Sequence, residues 1–425
     1  MANKNRPQWL KAATRDQQQL GPHLFRTEYR KIVSVLCRRF GFDQIEVAED
    51  IAGDTFLTAA TAWGIKGIPN NPTAWLYNVA KNKASDHLYR RGLFDKKVGP
   101  ELRRQSGQTD NTEIDLSPAN ISDSQLQMMF AVCHPSIPPE AQIGLSLRIL
   151  CGFGIEEIAD AFLTNKETIN KRLFRAREKL REQKIAIELP GEADIAQRLD
   201  AVLTTIYLLF NEGYYSLSQN STLRRDLCLE AMRLCLMLVE NASTNRPRVN
   251  ALLALMCFHA SRFDARTNSE GEHILYEEQD TTLWDTALIN KGAFYLHQAA
   301  TGAPSKYHFQ AGIAYWNTQK NDTPEKWEHI LQLYNLLLQL EYSPMAALNR
   351  TYALAKVKGA AAAIPEAEKL DLIDHHFYFA LLGELYSGID RNTALRHFQT
   401  ALAMARTPAD HHALQRKIDQ LNGIA

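Results

Sequence analysis

From residue 153 to 181 the chain reads FGIEEIADAFLTNKETINKRLFRAREKLR, and its apolar positions recur at helical spacing in two short runs. Ile155, Ile158, Ala159 and Phe162 fall at i, i+3, i+4 and i+7, and Ile169, Leu173, Ala176 and Leu180 repeat that period further on. Each run predicts a helix with a single core face. Between them Thr164-Asn165-Lys166-Glu167 fits a capping box, with Thr164 and Glu167 satisfying amides that the first turn of the second helix leaves open. The pattern as a whole predicts a helix-turn-helix.

The same period organises the rest of the chain. Helices are predicted over 23–40, 45–63 and 72–91, which together make a small helical domain spanning 20–94; Asn71-Pro72-Thr73 opens the last of them, since Pro is tolerated in a first turn. Residues 95–122 are polar and poor in apolar positions, the mark of a linker. At about 3.3 Å per residue such a segment extends to about 90 Å, more than the roughly 68 Å of two turns of B-DNA. Helices over 124–133 and 138–150 complete a four-helix unit spanning 123–186, and Leu189-Pro190-Gly191 marks a further boundary. Beyond it the helical pattern continues without a strand run, over 194–211, 223–241, 246–264 and 281–301, giving a helical extension at 192–300. In the remaining 301–425, Gly383, Tyr386, Ala394, Phe398, Ala401 and Pro408 match the tetratricopeptide pattern, and 327–340 with 343–358 form a weaker neighbouring pair. The alternative for this part is a plain helical bundle. The expected fold class is all-α.

Composition narrows the setting. The chain has 425 residues, 45% of them hydrophobic, enough for about three cored domains. Its formal net charge is zero, yet residues 1–189 carry 27 Lys and Arg against 22 Asp and Glu, so a basic bias accompanies the helix-turn-helix. The six cysteines form no CxxC pair, which points to a reduced, cytoplasmic location with the thiols as small buried hydrophobes. The N-terminus lacks an apolar signal core, and no run approaches the ~18 apolar residues of a membrane span. Secretion and membrane insertion are therefore not expected.

On the predicted second helix of the turn motif, Thr168, Lys171, Arg172 and Arg175 share the face opposite the core, with Lys179 one turn further. Arg grips guanine edges bidentately or, like Lys, neutralises phosphates, so a duplex can dock there. The bland alternative is a solvated basic helix using Glu178 and Glu182 for local ion pairs. For catalysis the sequence offers little. Asn211-Glu212-Gly213-Tyr214-Tyr215 and Glu277-Glu278-Gln279-Asp280 cluster polar groups, but helix caps and turns use such residues more often than active sites do. The doublets His375-His376 and His411-His412 lack metal-site spacing, and no phosphate-gripping glycine motif occurs. No catalytic residue, metal or cofactor is expected; a protein or small-ligand partner for the C-terminal half stays open.

AEDIAGDTFLTAATAW at 48–63 and NPTAWLYNVAKNKASDHLYRR at 71–91 resemble regions of the extracytoplasmic-function sigma factors, and TINKRLFRAR at 168–177 is similar to that family's −35-reading helix. The resemblance implies that Asp50, Asp54 and Phe56 contact core RNA polymerase through its β′ clamp helices, with the β flap as a second polymerase contact. It places Trp75, Asn78, Lys81, Asn82, Arg90 and Arg91 on the melted −10 element. It places Thr168, Asn170, Lys171, Arg172, Phe174, Arg175 and Arg177 at the −35 element. Asn170 departs from the Arg common there, Lys171 from a small polar residue, and Asp54 from Glu, so an unusual promoter sequence is implied. Read from chemistry alone, Trp75 serves equally as a core aromatic, and Lys81, Arg90 and Arg91 as surface charge or helix-end complement. Family members end soon after the position of Lys184. Residues 200–216, 227–238, 251–262 and 277–285 resemble the subgroup with a large repeat-like C-terminal extension, which implies regulation of the sigma portion in cis. The rival reading is a one-component regulator whose helix-turn-helix alone reads an operator while the repeat part senses a ligand. A helical enzyme or adaptor confined to the C-terminal half is a third.

Overall fold

The computed structural model describes residues 25, 27–98, 114–215, 221–266, 274, 276–405 and 408–423. Among them every regular element is a helix, so the all-α expectation holds. The chain divides into two compact units, Met1–Thr244 and Asn245–Ala425.

In the first unit α1 (27–40) buries Ile32, Val33, Leu36 and Cys37. Gly41, at φ 81°, turns the chain into α2 (Ile45–Lys66), whose Ile45, Ala48, Ile51, Ala52, Thr55 and Ala59 form one buried stripe at spacings of three and four. Gly67 at φ 83° ends that helix, its amide donating to the Trp63 carbonyl. The Asn71 side chain then caps α3 (Pro72–Val98) by accepting from Ala74 N–H at 3.0 Å. α3 buries Leu76, Ala80 and Ala84 at four-residue intervals, so α2 and α3 pair through small residues.

The expected linker is shorter than the sequence pattern implies. α3 continues to Val98 and α4 begins at Pro118, capped by Ser117, so the connection is 99–117, and most of it, 99–113, lies outside the described residues. Fully extended it reaches about 60 Å at about 3.3 Å per residue. The sequence pattern mistook the polar, charge-rich end of α3 and the exposed first turn of α4 for linker.

α4 (Pro118–Val132), α5 (Pro139–Leu145) with its π turn at Ser146–Leu150, α6 (Ile155–Ala161) and α7 (Lys166–Glu182) form the predicted four-helix unit. α7 buries Ile169, Leu173, Ala176 and Leu180 as the period predicts; in α6, Ile158 and Ala159 are buried, whereas Ile155 and Phe162 are only half-buried. The cap of α7 sits one residue later than expected. Leu163 takes a left-handed conformation (φ 49°), which brings Asn165 rather than Thr164 to the cap, where its side chain accepts from Thr168 N–H at 2.8 Å.

The extension expected at 192–300 is divided between the units. α8 (Glu192–Tyr215) and α9 (Ser221–Glu240) belong to the first, because the α8 stripe of Ile195, Leu199, Val202, Leu203 and Ile206 packs on α4 and α5. Gly213 lets α8 and α9 cross closely: a Cβ there would lie 2.5 Å from the Arg224 carbonyl and 2.7 Å from Cys228 Sγ.

The second unit is a succession of neighbouring helix contacts. α10 (Pro247–Ala260) packs on α11 (Thr286–Gln298) and α12 (Lys306–Trp316). α13 (Pro324–Leu340), α14 (Pro344–Lys358), α15 (Ala360–Glu368), α16 (His376–Tyr386), α17 (Arg391–Met404) and α18 (Pro408–Asn422) each pack on the next. At the α16 and α17 crossing, a Cβ on Gly383 would lie 2.8 Å from the Phe398 ring, and Ala394, Phe398 and Ala401 are buried.

Candidate polymerase and promoter surfaces

On α2 the buried stripe leaves the opposite side free. Asp50 and Asp54 are exposed, and Leu57 and Ile65 beyond them present apolar surface at 67% and 81% exposure. Phe56 is half-buried, its ring edge-on to Phe25 at 5.0 Å, and Lys83 of α3 approaches Asp54 at 3.9 Å. Acidic and apolar groups therefore share one exposed face.

On α3 the structure separates the six residues expected at the −10 element. Trp75 is half-buried and packs edge-on against Trp63, ring centroids 5.4 Å apart, so it is committed in part to packing. Asn78 and Lys81 meet at one cavity of about 580 Å³, lined also by Ala74 and Tyr77 and, from across, by Ile114, Asp115 and Leu116. Burial and the Glu28 carboxylate, which accepts from the Tyr77 hydroxyl at 2.5 Å, hold the Tyr77 pKa far above its ordinary value. Asn82, Arg90 and Arg91 are exposed further along α3 and do not line the cavity.

α7 divides along its length. Thr168, Asn170, Lys171, Phe174 and Arg175 are exposed, Phe174 at 62% despite its ring, and they run along the side not used by the core stripe. Arg172 is half-buried, its guanidinium stacked 5.3 Å over the Phe162 ring. Arg177 is elsewhere. Its guanidinium lies 2.9 Å from Glu49 and 3.6 Å from Glu46, both on α2, and its side chain is only 12% exposed.

That pairing belongs to a larger cluster that no local pattern announces. Arg148, in the π turn, reaches Glu49 at 2.8 Å, lies over the Tyr29 ring and donates to the Tyr29 hydroxyl at 3.3 Å. Burial works against its charge, but Tyr29 and Glu49 outweigh burial and hold the Arg148 pKa above the ordinary arginine value. Arg181 pairs with Glu46 and donates to the Phe42 carbonyl at 3.0 Å. Three arginines of the four-helix unit thus converge on two glutamates of α2. The only trace in the sequence is spacing, Glu46 with Glu49 and Arg177 with Arg181, each pair sharing one helix face.

The polar cluster at 277–280 serves as a fastening: Glu278 pairs with Arg416 at 2.7 Å, and the Gln279 carbonyl accepts from Lys320 at 2.6 Å. All six cysteines are buried thiols, none of them in a disulfide. No described helix is long and apolar enough to cross a membrane.

Comparison with known proteins fits the two modules. Residues 24–93 match Sigma-70 region 2, and residues 127–180 match Sigma-70, region 4. Residues 198–300 match a family described as one of unknown function, DUF6596. These two modules on one helical chain define a sigma-type transcription factor that meets core RNA polymerase and promoter DNA. The chain thus carries two modules of the sigma-70 family, at 24–93 and 127–180. "Uncharacterized protein R00370" of Rhizobium meliloti (strain 1021) is 32% identical over 387 residues, 89% of this chain and 91% of that protein, so region 2, region 4 and extension recur together there. The RNA polymerase sigma-H factor of Pseudomonas aeruginosa is 29% identical over 158 residues, 36% of this chain and 79% of that protein. No solved structure matches.

Proposed function

We propose that the protein is a sigma factor of the extracytoplasmic-function type, whose C-terminal helical part regulates the sigma portion in cis. Asp50, Asp54 and Phe56 on α2 dock the polymerase clamp. Asn78 and Lys81, with Trp75, Asn82, Arg90 and Arg91, hold the melted −10 strand, where amide groups meet unstacked bases and cations meet phosphates. Thr168, Asn170, Lys171, Arg172, Phe174 and Arg175 enter the −35 major groove, joined by Arg177 where α7 is free of α2. The observation that carries this reading is the division of α7: one stripe buried in its own four-helix unit, and the opposite side, basic and amide-bearing, left open.

Regulation in cis is supported by the packing of α8 and α9 on region 4 helices and by the ion pair between Arg30 of α1 and Glu230 of α9. A tetratricopeptide-like character for the second unit is supported by Gly383 facing Phe398 where the repeat pattern needs a small residue. The test is in vitro transcription with purified core polymerase. New start sites appear only with the chain present and are lost with Asp50→Ala or Asp54→Ala; promoter binding indifferent to core polymerase supports the one-component regulator instead. Arg175→Ala lowers promoter affinity by about 1–3 kcal/mol at one −35 position if the residue reads a base, and equally on all sequences if it holds a phosphate.

A further inference from the structure

In the second unit Arg262, just past the end of α10, is only 8% exposed. Its Nε–H is buried without a hydrogen-bond partner, and among the described residues no carboxylate pairs with its guanidinium. A buried charge left so is costly. It lies over two rings instead, 5.4 Å from the centre of Tyr276 and 5.9 Å from that of Trp284. Lys320, between α12 and α13, sits over the same two rings at 5.6 and 5.9 Å, and the ring centres are 6.3 Å apart, so both cations face one seam. Lys326, in the first turn of α13, is 5.4 Å from the Tyr276 ring.

The partners these cations have do not cancel their charge. Lys320 Nζ donates to the Tyr276 and Gln279 carbonyls at 3.1 and 2.6 Å. Lys326 Nζ, on a side chain 1% exposed, donates to the Gln319 carbonyl at 2.7 Å and the Tyr276 hydroxyl at 3.2 Å. Asp322 lies 3.8 Å from Lys326 and 3.1 Å from Lys356, so its single charge is already divided. Asp280 accepts from the Thr282 amide and hydroxyl at 2.8 Å, and Glu277 from the Tyr352 hydroxyl at 3.4 Å. Burial lowers the Lys326 pKa; Asp322 raises it, and Lys356, Arg262 and Lys320 press it down again. Positive charge is crowded here.

Polar atoms are also left over. Besides the Arg262 Nε–H, the Trp284 Nε1–H and the Gln279 Oε1 are buried without a partner, on residues 7% exposed. Folded chains seldom leave such atoms unpaired, so three in one cluster mark the place of a missing partner. Two of the three are donors, and Arg262 and Lys320 both lack a carboxylate, so that partner is an anion. A carboxylate would match one of the two charges. A phosphate monoester carries close to two, with three acceptor oxygens that suit a guanidinium fork.

We propose that this cluster is a binding site for a small ligand bearing a phosphate group, held by Arg262 and Lys320 at the seam of Tyr276 and Trp284, with Lys326 as the third cation. Tyr276 and Lys320 are half-buried, which gives the ligand access from solvent. Arg262, Tyr276 and Trp284 lie within the 198–300 match, and Lys320 and Lys326 beyond it, so the bound phosphate fastens the extension to the helices that follow. The site stands apart from the sigma reading and does not depend on it.

The test uses the full chain in phosphate-free buffer. Calorimetric titration with glycerol 3-phosphate shows one site per chain, and sodium acetate at the same ionic strength shows none. Inorganic phosphate, titrated alongside, separates the sources: uptake of both, or of the ester alone, supports the site. Lys320→Gln and Arg262→Lys, which keeps the charge and loses the fork, each weaken binding about tenfold. Arg396→Gln, at an exposed cation of α17, leaves it unchanged. Because Arg262 is buried, the unsubstituted chain supplies a second measurement: the ester slows amide exchange at 276–284 and 320–326. No heat with either phosphate at millimolar concentration overturns the inference, and so does equal uptake of acetate. Binding that survives both Lys320→Gln and Arg262→Lys, or slowed exchange confined to the basic face of α7, overturns it too, and none of these outcomes touches the sigma reading.

Discussion

The two compact units hold themselves together by different means. In the first, elements far apart in the chain are joined by charge: α1 to α9 through Arg30 and Glu230, α2 to α7 through Glu46, Glu49, Arg177 and Arg181. In the second, charge also reaches across the chain, Glu278 to Arg416, but neighbouring helices are joined chiefly by close apolar contact, with glycines at crossings such as Gly292 against Phe258 and Gly383 against Phe398, as Gly213 is in the first. Long-range ionic junctions exchange partners readily, whereas sequential apolar packing builds a scaffold in which each helix pair supports the next.

The heaviest blow to this comparison falls on the scaffold. Phe398 is among the largest fully buried side chains and fills the hollow over Gly383. Phe398→Ala is expected to cost about 3–5 kcal/mol, since the rigid crossing cannot collapse onto the void. Amide exchange followed by mass spectrometry should show α16 and α17 losing protection while α2 and α7 keep theirs. Next in size is Glu49→Ala, which strips Arg148 and Arg177 of their shared carboxylate and should weaken the α2 and α7 contact by about 3 kcal/mol. The same measurement then shows the reverse, exchange rising in α2 and α7 and unchanged in α16 and α17. Equal loss in both units after either substitution would remove the distinction.

How far this was legible from sequence follows the same line. The buried stripe of α7 is readable because a helical period is local: Ile169, Leu173, Ala176 and Leu180 announce a core face without knowledge of what covers it. The cap of α7 was missed by one residue because Thr164 and Asn165 are both competent caps, and the left-handed turn at Leu163 decides between them. Among the residues expected at the −35 element, Thr168, Asn170, Lys171, Phe174 and Arg175 are exposed, while Arg172 is half-buried over the Phe162 ring. The period places Arg177 beside the core stripe and Arg175 opposite it, but only the folded chain shows that Glu49 is the partner of Arg177. Charge type is written in the sequence; its partner is not.

Acid sharpens the comparison from the side of the second unit. His259 of α10 has its pKa lowered to about 3 by burial, then by Arg262 and Arg266. Its folded value lies below the unfolded value of about 6.5, so its contribution is complete above pH 6.5 and is lost as pH falls from there towards 3, where the unfolded chain takes up a proton the folded one refuses. By pH 5 the loss is about 2 kcal/mol. Urea unfolding of the full chain at pH 7.5 and pH 5 measures it, and His259→Gln should remove that part of the slope whatever it does to stability at neutral pH.

The smallest effect concerns a cation that resembles Arg177 in sequence and differs in place. Lys179 meets Glu182 at 4.0 Å with both side chains about half exposed or more, and such pairs contribute little after side-chain entropy and salt screening. Lys179→Ala should therefore change stability by less than about 0.5 kcal/mol and leave the exchange of α2 and α7 as it was. Its effect on DNA is separable. If the amine neutralises a −35 phosphate once α7 is free, the variant binds every duplex more weakly and the slope of affinity against salt falls by about one counterion. An unchanged slope confines the DNA contacts of α7 to the turns before Arg177, which makes Arg177 and Arg181 parts of the junction in every state of the protein.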